Sequence, residues 1–238
     1  MTENNFRGVG QRLGFDVAVS QKSQDFDVSF TEPYFLDRRL RAGVDLFHSR
    51  QDYQDESSYD SKVTGGRLRT GWNYTDDLSQ QLRYTLKEDE ITSVGEYASK
   101  YIKEEKGKYT NSSLGTTVAY DKRDSAMYTR DGYFLSVGSD VAGIGGDEKY
   151  VKFDAKAYWY YTMADYYTLK LFTNVGTING YGGENVRLAN RYYLGGYTMR
   201  GFEVGGIGAR DKKTNDALGG NWMLYTGAET VSYTHLTL

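Results

Sequence analysis

The chain has 238 residues, with 29 Lys and Arg against 32 Asp and Glu. That near balance supplies no strongly basic face and argues against a nucleic-acid partner. It carries no Cys and only two His, His48 and His235, so thiolate metal sites, disulfides and Cys nucleophiles are excluded, His-based catalysis has almost no material to work with, and no metal or cofactor is expected.

One Pro, 28 Gly and 23 Tyr describe a chain poor in breakers and rich in turn-formers and amphipathic aromatics, a profile that favours strands. Mean hydropathy is -0.66 and no apolar run approaches the roughly 20 residues of a transmembrane helix. A transmembrane strand escapes that test, because it needs about 10 residues and places apolar side chains only at alternate positions. Met1 is followed by a polar stretch with no apolar h-region, so a secretory signal is expected to lie upstream of this sequence.

In chain order, Leu13, Phe15, Val17 and Val19 alternate with Gly14, Asp16, Ala18 and Ser20, which gives a strand one apolar and one small or polar face. The pattern returns as Phe26, Val28 and Phe30 against Asp27, Ser29 and Thr31, and as Leu40, Ala42, Val44 and Leu46 against Arg41, Gly43 and Asp45. Further copies fall at 68–74, 82–86, 114–120, 133–141, 151–161, 167–175 and 222–230, about ten in all. Short links at 36–39, 75–77 and 164–165 and a middling one at 121–131 alternate with long polar stretches at 49–61, 88–110 and 179–219. Such parity is the mark of an outer-membrane barrel, with short turns at one end and long loops at the other; 21–25 and 143–149 are shorter than it predicts. Tyr34, Phe35, Tyr133, Phe134, Trp159, Tyr161, Tyr166 and Tyr167 sit near strand ends, where an interfacial girdle belongs.

Few residues invite a chemical reading. Gly145, Gly146, Asp147 and Glu148 match a string known from nucleotide cyclases, but between two alternating strands they read as a hairpin loop. The glycines at 205, 206 and 208 lack the strand-then-helix context of a phosphate loop. Lys152, Asp154 and Lys156 share one strand face and read as a hydrated lumen wall. The loop 192–202 stands apart: its paired glycines, clustered aromatics and single Arg predict that it folds back against the rest of the molecule.

Within it, Met199, Arg200, Gly201 and Phe202, preceded by Gly195 and Gly196, resemble the lumen-inserted signature loop of the Omp85 superfamily, with Met199 where Val is usual. Residues 31–35 (Thr-Glu-Pro-Tyr-Phe) resemble that family's strand-end segment, 5–8 its early periplasmic turn, and 217–221 the opening of the strand after the signature loop. Together they are most similar to the BamA-like assembly-factor branch. The resemblance implies an all-β fold, an antiparallel transmembrane β-barrel present here as about ten of sixteen meandering strands. Residues 1–231 then correspond to strands three to twelve of the family pattern, and 232–238 to a non-native or truncated tail. It also implies a non-enzymatic outer-membrane protein assembly factor of a Gram-negative bacterium that folds and inserts β-barrel proteins through a lateral gate. Its partners would be unfolded outer-membrane proteins, accessory lipoproteins and outer-membrane lipid. A polypeptide-secreting porin of the same superfamily and a passive diffusion porin are the alternatives. In the family the signature Arg pairs with acids on the barrel wall, and Glu229 falls on the matching position; a carboxylate suits a guanidinium withdrawn from water.

Overall fold

The computed structural model describes residues 1–164, 167–196 and 198–232. Eleven antiparallel strands form one sheet in strict sequence order: β1 Thr2–Phe6, β2 Gln11–Val19, β3 Ser23–Glu32, β4 Leu40–Tyr53, β5 Tyr59–Asn73, β6 Leu78–Thr92, β7 Gly107–Asp121, β8 Gly132–Gly143, β9 Gly145–Ala164, β10 Tyr167–Gly180 and β11 Trp222–Ser232. Among the described residues β1 and β11 do not pair with each other, so the sheet is an unclosed wall. Among the described residues two short helices, α1 Gln54–Ser57 and α2 Lys100–Glu104, interrupt the links, and no helix is long and apolar enough to cross a membrane.

The register turns the sequence alternation into two faces. Phe30 pairs with Val44, Val44 with Leu68, and Leu68 with Tyr84, which in turn opposes Leu114 and then Val141. Each such row places apolar side chains on one surface, and many of them are exposed, including Leu46, Leu68, Val137, Trp159 and Leu224. An uncovered apolar band of this kind needs an apolar solvent. The opposite rows are polar: Asp45 opposes Arg67, Arg69 opposes Arg83, and Gly115 lies between Arg83 and Asp140, which faces Lys152. Side chains of this polar face from β4 through β9 line a common cavity of about 410 Å³, so the sheet curls with the polar face inward.

Glycines make that inner face compact. A Cβ on Gly115 would collide with the Arg83 and Asp140 side chains, so its absence lets the Arg83 guanidinium lie across β7. Arg83 then grips Asp140 through Nε (2.9 Å) and Nη2 (2.6 Å) and donates to Thr117 Oγ1. In the same way Arg69 crosses Gly43, reaching Asp45 (2.8 Å) and Thr31 on β3 (2.8 Å). The Arg83–Asp140 pair thus bridges β6 to β8 across β7, whereas Arg69 pairs with Asp45 on the adjacent β4 and reaches past it only through its hydrogen bond to Thr31 on β3.

Three sequence expectations change in detail. An additional strand, β1, precedes the first alternating segment; its sequence Thr-Glu-Asn-Asn-Phe is exposed throughout and carries no apolar alternation. The turn resembling the early family turn follows it, with Arg7, Gly8 and Gly10 at positive φ. The 143–149 link is a tight reversal around Ile144, and Asp147 and Glu148 stand on β9 rather than in a loop. Finally, β4, β5, β6 and β7 run well into the stretches 49–61 and 88–110, where the outward face is polar and the few inward apolar residues, Tyr59 and Ile91 among them, are too sparse to alternate. Residues 165 and 166, the centre of one expected short link, and the tail residues 233–238 lie outside the described residues.

Candidate functional site: the polar lumen and the loop that covers it

The links divide by end as the parity requires. Residues 7–10, 33–39, 74–77 and 122–131 lie at one end; 20–22, 54–58, 93–106, 144 and 181–221 lie at the other. The last of these is a cap. Among the described residues two buried apolar clusters lie at the cap end: Tyr59, Ile91, Ile102 and Leu188 form one, and Ala142, Tyr150, Ile178 and Val186 the other. Val186 and Leu188 come from the cap, so its first segment is seated on the inner wall; each fully buried aliphatic side chain contributes roughly 1.5–3 kcal/mol.

Between them, Arg187 is the main polar anchor. Its Nε lies 3.4 Å from Glu105 Oε2, its Nη1 3.6 Å from Glu148 Oε1, and its Nη2 donates to the Glu105 carbonyl at 3.0 Å. The guanidinium stacks over the Tyr109 ring, and the Glu148 side chain is 1% exposed. Glu148 also accepts from Asn111 Nδ2, which donates to Tyr150 Oη at 3.0 Å as well. The Leu188 N–H donates to both Glu105 oxygens. Burial raises the Glu105 carboxyl above its usual range, against the opposing pull of the Leu188 N–H and Arg187.

The middle and return of the cap are tied down in turn. Tyr192 lies over Gly176, where a Cβ would strike its ring, and its hydroxyl contacts Asp154 at 2.9 Å while Lys152 sits 4.7 Å from the ring centre. Lys152, Asp154 and Lys156 thus face the lumen, as expected. Burial holds the Tyr193 hydroxyl up at about 12. On the return, Asp216 accepts from Ser58 Oγ (2.8 Å) and the Ser99 N–H (2.7 Å), and Ser99 Oγ donates to Asp211 (2.7 Å). The Ser99 hydroxyl, with the Lys213 and Thr214 N–H groups, lowers the Asp211 carboxyl.

The signature segment is the cap's tip. Gly195 and Gly196 adopt φ of +126° and +58°, and a Cβ at Gly195 would run into the Glu203 carbonyl. The Gly195 N–H donates to Thr198 Oγ1, and the Gly196 N–H closes the loop on the Phe202 carbonyl at 2.8 Å. Met199 is half-buried; Arg200, Gly201 and Phe202 are exposed. Tyr197 lies outside the described residues. Glu229 stands on the inner face of β11 and is engaged by Lys170 Nζ at 3.0 Å; among the described residues no ion pair joins it to Arg200. The cluster of Arg187, Glu105, Glu148 and Asn111 was not singled out from sequence, since its members lie on four separate segments; Glu148 was hidden in a glycine-rich string that reads as a turn.

Residues 5–236 match the Omp85 superfamily domain. Outer membrane protein assembly factor BamA of Neorickettsia risticii is 32% identical over 228 residues, covering 95% of this chain and 31% of the relative. A sorting and assembly machinery component 50 homolog of Xenopus tropicalis is 26% identical over 230 residues, 91% of this chain and 46% of the relative. The crystal structure of BamA from Haemophilus ducreyi lacking POTRA domains 1–3 superposes with a TM-score of 0.81 at 20% identity, covering all of this chain and half of that one. The chain therefore spans about a third to a half of the length of these relatives. On the domain match and the 32% relative, the chain belongs to the Omp85 superfamily.

Proposed function

We propose that the chain is the wall and cap of a factor that folds and inserts β-barrel proteins into an outer membrane, without covalent chemistry. The observation that supports this most is the superfamily domain running through nearly the whole chain, on a wall whose apolar side faces outward and whose polar lumen is covered. The relatives are named as assembly components rather than secretion or diffusion pores, which favours assembly over both alternatives. In such a factor a lateral gate offers an unpaired strand edge, which is costly in lipid and templates the pairing of an incoming strand. We read residues 1–231 as part of that barrel, in the outer membrane of a Gram-negative bacterium, acting on unfolded outer-membrane proteins with accessory lipoproteins. The exposed tip carrying Arg200 works from the lumen. Glu229, 40% exposed beside Lys170, keeps lone pairs to accept a second cation and is the wall acid that Arg200 engages.

The test is Arg200→Ala in the protein at its natural length. Heat-modifiable migration should persist, showing that the barrel forms, while assembly of client barrels falls. Normal client assembly at normal protein levels would remove the tip from the mechanism.

A further inference from the structure

Beneath the first segment of the cap, the inner face carries more positive charge than its carboxylates answer. The cavity of about 410 Å³ there is lined from the wall by Arg67, Arg83, Lys87 and Lys152, and from the cap by Asn190 and Arg191. The register puts the wall residues on one side of the sheet. Arg67 opposes Thr85, Thr85 opposes Ser113, Ser113 opposes Ala142 and Ala142 opposes Tyr150. Arg83, Lys87 and Lys152 stand two residues along their strands from that row, so they share its inward face.

The carboxylates around the cavity are already engaged. Asp140 accepts two bonds from Arg83, Asp89 lies 2.7 Å from Lys87 Nζ, and Arg187 holds Glu105 and Glu148. Asp154 accepts the Tyr192 hydroxyl at 2.9 Å and lies 4.0 Å from Lys152 Nζ. Arg67 has no carboxylate partner among the described residues: its Nε donates to Thr85 Oγ1 at 3.3 Å and its guanidinium lies 5.6 Å from the Phe47 ring centre. Arg191 uses Nε and Nη1 on the Val186 and Leu218 carbonyls, at 3.1 and 3.2 Å, which leaves Nη2 without an acceptor among the described residues. Asn190 Nδ2 is buried and has no acceptor there either. Like charges gathered in a partly enclosed cavity repel one another and focus their field on an incoming anion.

We infer that this cavity binds a multivalent oxyanion of the phosphate class, which bridges Arg191 of the cap to Arg67 and Lys152 of the wall. The free η N–H groups of Arg67 and Arg191 suit phosphate oxygens, and the Lys152 ammonium adds a compact third charge. A tetrahedral dianion has oxygens for all three cations, whereas a carboxylate has two oxygens and a single charge. The surface that suits acyl chains is the opposite, outward face of the wall, so the ligand is a soluble ion, free phosphate or a small phosphomonoester. Bound there, it ties the entry segment of the cap to β5 and β9 and opposes opening of the cap. The site depends on the wall and cap alone, whichever clients the protein handles.

The natural-length protein in detergent, at fixed ionic strength, is digested with chymotrypsin in chloride, inorganic phosphate, glycerol phosphate or a Glu-rich peptide, and cleavage within residues 181–221 is followed. Phosphorus NMR line broadening of inorganic phosphate reads binding independently of cap opening. With a Kd of about 1 mM, as a few charge-assisted hydrogen bonds in a hydrated lumen would give, about 10 mM phosphate should slow cap cleavage about tenfold relative to chloride. Arg67→Gln should abolish both the slowing and the line broadening, and Arg67→Lys should keep part of each. Arg12→Gln, on the inner face of β2 and outside the cavity, should keep both in full. Stronger protection by phosphate than by glycerol phosphate identifies the free ion as the ligand, and the reverse identifies an ester. Absence of phosphate binding, an unchanged response in Arg67→Gln or an equal loss in Arg12→Gln would overturn the site. Binding without slower cleavage, or protection by the acidic peptide and not by phosphate, would overturn the oxyanion bridge.

Discussion

Replacing Arg187 with Met tests whether the cap is held by its entry segment. The change keeps an unbranched apolar stem over Tyr109 but leaves Glu148, whose side chain is 1% exposed, with Asn111 and no cation. Removing one partner of a buried ion pair costs about 3–5 kcal/mol, because the remaining charge stays desolvated. The lower end applies here, since the Glu105 side chain is 19% exposed and recovers some hydration. A loss of about 3 kcal/mol is therefore expected in urea titration of the detergent-solubilised protein, together with protease cleavage within residues 181–221. Adding Glu148→Gln to Arg187→Met removes the orphaned charge while still offering a hydrogen-bond partner to Asn111, and should return most of the lost stability. A loss under about 1 kcal/mol, or no recovery in the double variant, would refute the argument that this pair secures the cap.

Other expectations follow from the same wall and cap. Gly115→Ala should cost about 1–3 kcal/mol by driving a methyl into the Arg83–Asp140 pair, whereas Ala at Gly145, where a Cβ meets nothing within 4 Å, should cost only its positive-φ strain; paired urea titrations separate the two. The two carboxylate anchors should respond oppositely to acid. Asp211 is lowered by its donors, so its contribution is present above the usual carboxylate range near pH 4 and is lost as pH falls through its folded value. Glu105 is raised by burial, so its contribution is fullest below that range and declines as pH rises through its raised value. Spin labels at Lys213 and Glu104 should show acid loosening the first site but not the second; parallel loosening would contradict the assignment.

The outward face was legible because lipid demands an apolar residue at every second position, and Leu13, Val44, Leu68 and Val137 obey that demand locally. Loop parity was legible because short turns at one end and longer links at the other alternate along the chain even where strands outrun the apolar band. What stayed hidden is what lipid does not dictate. The polar β1 shows no alternation, and the upper parts of β5 and β6 carry few apolar residues, burying Tyr59 and Ile91 only because the cap covers them. Arg187, Glu105, Glu148 and Asn111 come together only through the closing of the cap over β6–β9, and no local spacing announces a contact between segments so far apart. The family-like tip was visible from Met199 to Phe202, yet Glu229, expected from the resemblance to face its Arg, is seen with Lys170, a neighbour set by register rather than by motif.

The most direct test is reconstitution. Vesicles holding the natural-length protein, with its barrel shown to be folded by heat-modifiable migration, are given a urea-denatured β-barrel client, and client folding is followed by protease protection. Faster client folding than in protein-free vesicles, with the gain lost in Arg200→Ala, is the expected result; folding no faster than in empty vesicles would contradict an assembly function for this wall and cap.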